Sequence, residues 1–289
     1  YALSGGSIII NKILLKHSLP NPFIYSFYIC ILGLLTILLV PFGTVFNTQS
    51  IILGSLAGVF FVFALTTFFQ SLKVGEASVV GPVVGALNPL FTLVIAYFFL
   101  NQSLSTSQLV AFFAVLIGAL VLTYNIWVKK LRLNMQLFWM SISGLLFAIF
   151  YLTLRGSFDN SNLLSGLIVS RLAAAIIVST FILAPNLRNQ IFHPHKDSGL
   201  SSRRTGVLLV FGESMGALSG LLLSWGVALA SPALVNSLFG VQYLVILGAA
   251  LILSGKHPQL LDENLSKGIL AQKIIGAGIL SWGVYLLSK

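Results

Sequence analysis

The sequence predicts an all-α integral membrane protein with ten transmembrane helices, and three observations support this class. Hydrophobic residues make up 57% of the 289 residues and charged residues only 8%, whereas about a quarter of the residues in soluble domains are charged. Apolar runs of roughly 20 residues, the length that crosses ~30 Å of hydrocarbon, recur along the whole chain. The Lys and Arg residues, which dominate the formal net charge of +10, cluster between those runs.

The predicted spans are separated by turn sequences, such as the Leu-Pro-Asn-Pro of residues 19–22 and the Lys-Val-Gly-Glu of residues 73–76. The runs are apolar on nearly every side, which favours membrane spans over amphipathic surface helices. The longest polar stretch, Asn186 to Arg204, is predicted to be a connecting loop. The predicted spans are 2–17, 23–43, 51–72, 78–100, 107–128, 134–155, 162–184, 205–229, 232–254 and 268–287.

A weak internal repeat relates the two parts of the chain. A shift of 155 residues places Gly85 on Gly240, and a shift of 158 residues places Gly118 on Gly276. Spans 4 and 5 of the first repeat therefore correspond to spans 9 and 10 of the second. Five spans per repeat is an odd number, so the second copy must insert upside down, as in many secondary transporters. The fold expected is two inverted five-helix repeats, residues 1–130 and 131–289, joined near a basic linker.

The residues around span 4 resemble a known family. The stretch from Lys73 to Pro89 reads KVGEASVVGPVVGALNP and is followed by LFTLVIAYFFLNQSLS. It looks like the EamA-type repeat of the drug/metabolite transporter superfamily, and span 1, with Asn11-Lys12, is also similar to the sugar-phosphate and nucleotide-sugar branch. The resemblance implies a ten-helix carrier with a central cavity between two inverted halves.

Two charged side chains are predicted at mid-membrane depth. Glu213 stands about nine residues inside span 8 and Arg171 about nine residues inside span 7, so each charge lies ~13 Å from a membrane surface. An ionised side chain facing lipid costs several kcal/mol, so both should face the bundle. In the functional interpretation, Arg171 attracts an anionic group and Glu213 attracts a cationic group or a proton. In the structural alternative, the two form an ion pair that holds spans 7 and 8 together.

Spans 4 and 9 supply further candidates for the substrate site. Asn88 precedes Pro89 within span 4, where prolines remove backbone hydrogen bonds, so we expect this helix to be bent or locally opened. The corresponding part of span 9 offers Asn236, Gln242 and Tyr243, and paired interrupted spans often flank a transport site. The alternative is that these amides only join helices to one another.

The remaining candidates lie nearer to the ends of the spans. Gln70, Tyr151 and Trp225 are weaker candidates because such residues commonly mark the membrane interface. Lys12 and Lys273 are close enough to span ends for their ammonium groups to reach the headgroups. Lys12 is kept as a candidate for substrate binding.

No catalytic or metal site can be assembled from the sequence. Intramembrane hydrolysis needs converging carboxylates, a nucleophile with a base, or a metal cage, and five of the six acids lie in loops or at span ends. His193 and His195 lie in the long polar loop and are interpreted as plain loop residues. The single cysteine, Cys30, lies in an apolar run. We expect no enzyme, no metal and no cofactor, and the absence of a Walker motif argues against direct ATP drive.

The favoured function is a secondary transporter that moves a small polar or amphipathic metabolite, such as an amino acid, a drug or a sugar phosphate, by alternating access. Its expected partners are the small-molecule substrate, membrane lipid, and a coupling proton or an exchange substrate. No nucleic acid is expected, because the basic residues lie in loops that meet lipid headgroups. The rival function is a non-transporting scaffold or a lipid-modifying membrane protein.

The expected location is the cell membrane, with many passes, but the sequence leaves the orientation open. The odd-numbered loops hold nearly all the Lys and Arg residues, which places these loops in the cytoplasm under the positive-inside rule. The family resemblance implies cytoplasmic termini instead.

Overall fold

The chain folds into a bundle of α-helices. A computed structural model of the protein describes residues 1–42, 45–99, 105–125, 130–131, 135–192, 202–229, 239–256, 260–261, 263–264 and 266–287. The helices within these ranges are α1 (Ala2–His17), α2 (Pro22–Leu32), α3 (Thr48–Val74), α4 (Ala77–Phe99), α5 (Thr106–Thr123), α6 (Met135–Asp159), α7 (Leu163–Ser179), α8 (Pro185–Phe192), α9 (Ser202–Leu229), α10 (Phe239–Lys256) and α11 (Lys267–Leu287).

Within the described residues, seven helical segments are long and apolar enough to cross a membrane. They are Pro22–Phe42, Thr48–Val74, Ala77–Ile95, Thr106–Thr123, Met135–Asp159, Leu163–Leu183 and Lys267–Leu287. The protein is therefore a helical, multi-pass integral membrane protein. A helix also lies over each of the other three predicted spans, and the count of ten crossings stays a prediction.

Several helices begin at side chains that accept hydrogen bonds from the first turn. The Asn47 side chain accepts from the Ser50 backbone N–H at 2.7 Å, and the Asn162 side chain accepts from the Ser165 N–H at 2.8 Å. Ser105 and Gln108 form a capping box at the start of α5. Each cap satisfies a backbone donor that has no partner inside its helix, so these polar residues fix where α3, α5 and α7 start.

Two predicted spans change helix type before they end. Span 2 continues from α2 as the 3₁₀ segment Gly33–Phe42, and span 7 continues from α7 as the 3₁₀ segment Thr180–Leu183. Pro41 lies in the first segment, and proline disrupts the bond to the carbonyl four residues earlier that an α-helix needs. The tighter three-residue pattern lets the helical chain continue.

The prediction of a loop over Asn186 to Arg204 was wrong at both of its ends. Helix α8 covers the first part of this stretch, and α9 already begins at Ser202. Two hydrogen bonds hold α8 against α2: the Asn21 side chain donates to Gln190 Oε1 at 3.1 Å, and Tyr28 Oη donates to the Ile191 carbonyl at 2.8 Å. These partners are far apart in sequence, so the local polar composition gave no sign of them.

Span 5 ends earlier than predicted. Helix α5 stops at Thr123, and Tyr124 pairs antiparallel with Leu131 as Asn125 does with Lys130. This two-residue ladder between Tyr124–Asn125 and Lys130–Leu131 forms the start of the connection between the two parts of the chain. The connection therefore begins at Tyr124, whereas span 5 was predicted to continue to residue 128.

The expected opening of span 4 is not seen. Helix α4 runs without interruption from Ala77 to Phe99 with both Pro82 and Pro89 inside it. Each proline still removes one backbone donor, which leaves the carbonyls of Ser78 and Gly85 without their usual helical partner. Tyr243 Oη on α10 donates to the Pro82 carbonyl at 3.2 Å, so packing against α10 accompanies the continuous helix.

Helices from the two parts of the chain pack on each other in a repeated pattern. Helix α1 packs on α9 and α10, and α6 packs on α3 and α4. Helix α5 packs on α11, and α4 packs on α10. If α1–α5 are placed on α6, α7, α9, α10 and α11 in order, the two contacts of α1 correspond to the two contacts of α6. The α4–α10 and α5–α11 contacts each correspond to themselves with the partners exchanged.

Close contacts between α5 and α11 follow the same pattern at the level of residues. A Cβ atom added to Gly118 would lie 2.8 Å from Leu280 Cδ2, and one added to Gly276 would lie 2.7 Å from Leu122 Cγ. The shift of 158 residues that places Gly118 on Gly276 also places Leu122 on Leu280. The same contact is thus made twice with the partners exchanged, as at an interface on a two-fold axis.

Candidate functional site

Arg171 projects from α7 towards two helices of the first part of the chain. Its guanidinium carbon lies 3.8 Å from the centroid of the Phe61 ring on α3. Its Cδ atom lies 3.3 Å from the position that a Cβ atom on Gly33 would take. A guanidinium over an aromatic face is stabilised by ~0.5–2 kcal/mol. Arg171 therefore faces the bundle interior, as the sequence predicts.

Glu213 lies on α9, which packs against α1. The neighbouring Gly212 approaches α1 closely, because a Cβ atom there would lie 2.8 Å from Ile10 and 3.6 Å from Asn11 Oδ1. The Glu213 charge acts electrostatically on Tyr25 of α2, whose hydroxyl donates to Asn11 Oδ1 at 2.8 Å. Glu213 is partly buried and directly follows Gly212, which lies against α1 near the buried hydrogen bond between α1 and α2.

Arg171 and Glu213 do not form a contact ion pair. Among the described residues, no ion pair within 4.0 Å joins them, although each charge acts on the other over a longer distance. The described residues therefore do not show the direct ion pair of the structural alternative. Both charges act on Cys30 of α2.

An aromatic wall stands beside Arg171. Phe61 contacts Phe150 of α6, with ring centroids 5.1 Å apart, and Tyr151 packs on Phe147 and Phe150. Tyr151 is half exposed, and the Arg171 charge acts on it. Aromatic faces next to a cation suit the apolar part of a small amphipathic molecule.

The candidates on spans 4 and 9 are only partly placed. Gln242 and Tyr243 are buried on α10, where the Gln242 carbonyl lies 3.0 Å from the position of a Cβ atom on Gly5. The Asn88 carbonyl accepts from Thr92 Oγ1 at 3.0 Å. Asn236 and the side chain of Trp225 lie outside the described residues. The structure therefore brings Tyr243 against α4.

The prediction that Lys12 and Lys273 reach the headgroups was wrong. Both are buried, and the Lys12 ammonium donates to the carbonyls of Leu72 and Gly75 at 2.8 Å each. The free carbonyls at the end of α3 accept hydrogen bonds strongly, which draws Lys12 inward. Gln70 is partly buried on α3, and its side chain makes no hydrogen bond within the described part of the chain.

Lys273 joins two carboxylates that come from opposite parts of the chain. Its ammonium donates to Glu263 Oε2 at 2.8 Å and also to Glu76. Glu263 in turn accepts from the backbone N–H of Ser78 at 3.1 Å and from the Ser78 hydroxyl. We call Glu76, Ser78, Glu263 and Lys273 the interhalf ion cluster.

The two carboxylates of this cluster are held unequally. Burial raises the pKa of Glu76, and the attraction of Lys273 only partly opposes this. Burial would also raise the pKa of Glu263, but Lys273 and the two hydrogen bonds from Ser78 outweigh it and lower the pKa. Glu263 is therefore the carboxylate that the cluster stabilises in its charged form.

A cavity of about 250 Å³ lies beside the cluster. Polar and charged side chains line much of it, including Lys12, Lys73, Glu76, Gln136, Gln272 and Lys273. Gln272 donates to the carbonyls of Val121 and Tyr124 at the end of α5. The cavity lies where α3 and α5 end and α4, α6 and α11 begin, which is one end of the bundle.

Sequence reasoning missed the cluster and the Tyr25–Asn11 hydrogen bond. Glu76 and Lys273 are 197 residues apart, and Glu76 was interpreted as an ordinary loop acid. A signal was present, since a lysine inside an apolar run needs a counter-charge or a route to water. Which of these two outcomes applies depends on contacts between distant segments, which no local pattern indicates.

Comparison with known proteins finds a family that is similar to part of the chain. Residues 2–124 match the model of the EamA-like transporter family. Among curated proteins, none matches the chain. One solved structure, titled only "Crystal structure of protein", aligns over 96% of this chain and 95% of its own, with 14% identity and a TM-score of 0.49. That likeness is too weak to show a shared fold.

Proposed function

We propose that this multi-pass membrane protein, whose residues 2–124 form an EamA-like transporter domain, is a secondary transporter of the cell membrane. It moves a small polar or amphipathic metabolite past a central site by alternating access between two inverted five-helix halves. The observation that carries the proposal is a pair of charges within the predicted spans, Arg171 and Glu213. The Arg171 guanidinium lies 3.8 Å from the centroid of the Phe61 ring, and no contact ion pair joins the two charges among the described residues.

The repeated packing supports the two inverted halves. The exchanged contacts of Gly118 with Leu280 and Gly276 with Leu122 are those expected at a two-fold axis between α5 and α11. The residue numbers run in opposite directions along the two helices, so the helices are antiparallel at this crossing. An axis that exchanges antiparallel spanning helices lies in the membrane plane, which is the inverted arrangement.

The site chemistry favours a substrate with two unlike ends. Arg171 presents a planar guanidinium that matches a carboxylate or phosphate, and Glu213 presents an acceptor for an ammonium group or a proton. Phe61 and Tyr151 lie beside Arg171 and would contact the apolar part of the substrate. Both charges belong to the second half and face helices of the first, so a bound substrate would touch both halves.

The first experiment tests binding. Purified protein is heated with a panel of zwitterionic, anionic and cationic metabolites, because a ligand that binds the folded state raises its stability, by ~2.7 kcal/mol at 100 times Kd. We expect stabilisation by zwitterionic members of the panel in wild-type protein and its loss in Glu213→Gln. Asp159→Asn, which changes an exposed carboxylate paired with Arg155 on the same helix, is the matched control. Stabilisation that is equal in wild type and Glu213→Gln would contradict a binding role for this carboxylate.

A second experiment tests the charge of Glu213 in transport. Uptake by reconstituted Glu213→Gln is compared with wild type across pH, using protein shown to be folded and inserted. We expect slower uptake and a flatter pH dependence, because the variant can neither attract a cationic group nor exchange a proton. Unchanged uptake with the wild-type pH dependence would show that the Glu213 carboxylate has no role in transport. Arg171 and the polar residues of α4 and α10 would then remain as the candidates for the substrate site.

A further inference from the structure

We propose that the interhalf ion cluster is a lock that holds the two halves together at one end of the bundle and must open during each transport cycle. This inference rests on the proposed function, since a lock between halves has a role only if the halves move. Alternating access requires that contacts between the halves at one end break when that end opens. The cluster has the geometry for such a contact.

Each member of the cluster is bonded across the boundary between the proposed halves. Glu76 and Ser78 belong to the first half, whereas Glu263 and Lys273 belong to the second. The Lys273–Glu263 pair is buried, with side chains 4% and 0% exposed, whereas the side chain of Glu76 is 30% exposed. A buried charge that loses its partner destabilises its site strongly, whereas a surface ion pair contributes little. The cluster is thus able to bias whether this end is open or closed.

Glu263 also holds the beginning of α4. It accepts from the Ser78 N–H, which is in the first turn of α4, and from the Ser78 hydroxyl. An anion at a helix start is stabilised by the unpaired N–H groups and by the helix dipole. A carboxylate from the second half therefore caps α4, in place of a side chain from the residues just before the helix. Movement of α4 away from the second half would remove that cap.

The turn that carries Glu76 is itself fixed. Lys12 of α1 donates to the carbonyls of Leu72 and Gly75, directly before Glu76. The first-half side of the lock is therefore a rigid turn. The lock also forms part of the wall of the 250 Å³ cavity, together with Lys73, Gln136 and Gln272. Separation of the cluster would extend this cavity towards the interior of the bundle.

Cys30 provides a built-in reporter for the test. It is a free cysteine, is 0% exposed, and lies within electrostatic reach of Arg171 and Glu213 at the proposed central site. Its labelling by a maleimide measures access to the centre without any transport assay. We expect Glu263→Gln and Lys273→Met to raise the labelling rate roughly tenfold, because weakening the lock raises the population of the open state.

The control for this experiment is the exposed ion pair of Arg155 and Asp159, whose side chains are 76% and 57% exposed and lie on one helix. Asp159→Asn should label at the wild-type rate. Each variant is first shown to be folded, and Glu263→Gln is the milder change if Lys273→Met does not fold. If folded Glu263→Gln is labelled at the wild-type rate, the proposal that the interhalf ion cluster keeps this end of the bundle closed is contradicted.

A cross-link tests the closed state directly. Ser78→Cys and Glu263→Cys, in a Cys30→Ser background, are joined by a short bifunctional thiol reagent that a reductant can cleave. We expect uptake to stop on cross-linking and to return on cleavage, and uptake that continues in cross-linked protein would overturn the lock. If folded wild-type protein shows no uptake of any metabolite that binds it, the proposed function fails, while the labelling result for Cys30 still decides whether the cluster closes this end.

Discussion

Replacing Arg171 by Gln is expected to lower the initial rate of substrate uptake by at least about 30-fold. Removing one partner of a buried charge pair costs ~2–5 kcal/mol, and ~1.4 kcal/mol is a factor of ten in affinity. Arg171 has no contact ion pair among the described residues, so the bound substrate would supply its anionic partner. The measurement is uptake into vesicles containing equal amounts of folded protein.

The matched control is Arg155→Gln, which removes a guanidinium that is 76% exposed and paired with Asp159 on the same helix. It should leave uptake within about twofold of wild type, because exposed pairs contribute little. If both arginine variants lose uptake equally, the effect is not specific to the central site. Full uptake by Arg171→Gln would show that the guanidinium does not bind substrate.

Adding one methyl group at Gly58 is expected to destabilise the folded protein by ~1–3 kcal/mol, the usual cost of overfilling a packed contact. A Cβ atom on Gly58 would lie 2.4 Å from the Ser170 carbonyl oxygen and 2.9 Å from the Ala174 nitrogen. Both are backbone atoms of α7, so no side chain can move aside. The measurement is the thermal or denaturant stability of Gly58→Ala in the same detergent as wild type.

Gly248→Ala on α10 is the control for that substitution, because a Cβ atom there meets nothing within 4 Å. It should leave stability unchanged or raise it by up to ~1 kcal/mol, since alanine favours helix more than glycine does. Equal effects of the two substitutions would mean that close packing of α3 on α7 does not limit stability.

The sequence predicted the helical spans well because a bilayer imposes their length and composition. Runs such as Thr48–Val74 and Met135–Asp159 need no information from elsewhere in the chain. The ends of the spans were less predictable, because they depend on tertiary contacts. Helix α8 is held by Tyr28 through the Ile191 carbonyl, and no local pattern encodes that bond.

The candidate site was likewise predictable only in part: its residues could be identified from the sequence, but their contacts could not. Arg171 and Glu213 could be found from sequence because an ionisable residue inside an apolar run is rare and must face the bundle. Their separation could not be found, since it depends on how α7 and α9 pack. Lys273 was noticed, but its pairing with Glu76 and Glu263 needs three segments brought together by the fold.

The prolines of span 4 show a different limit. Pro82 and Pro89 correctly marked a helix that lacks two backbone donors, but the helix remains continuous. Composition predicts the loss of hydrogen bonds, and it does not predict whether the helix continues. Here α4 continues through both prolines and packs against α10, where Tyr243 donates to the Pro82 carbonyl.

The central claim, that this protein carries a small molecule across the membrane, is tested most directly by exchange in reconstituted vesicles. Vesicles loaded with an unlabelled metabolite that stabilises the protein are diluted into a trace of the same labelled metabolite. A carrier working by alternating access should accumulate label transiently and saturably, and Arg171→Gln should abolish this accumulation. Accumulation equal to that of protein-free vesicles, for every metabolite that binds, would contradict the account and favour a non-transporting membrane protein.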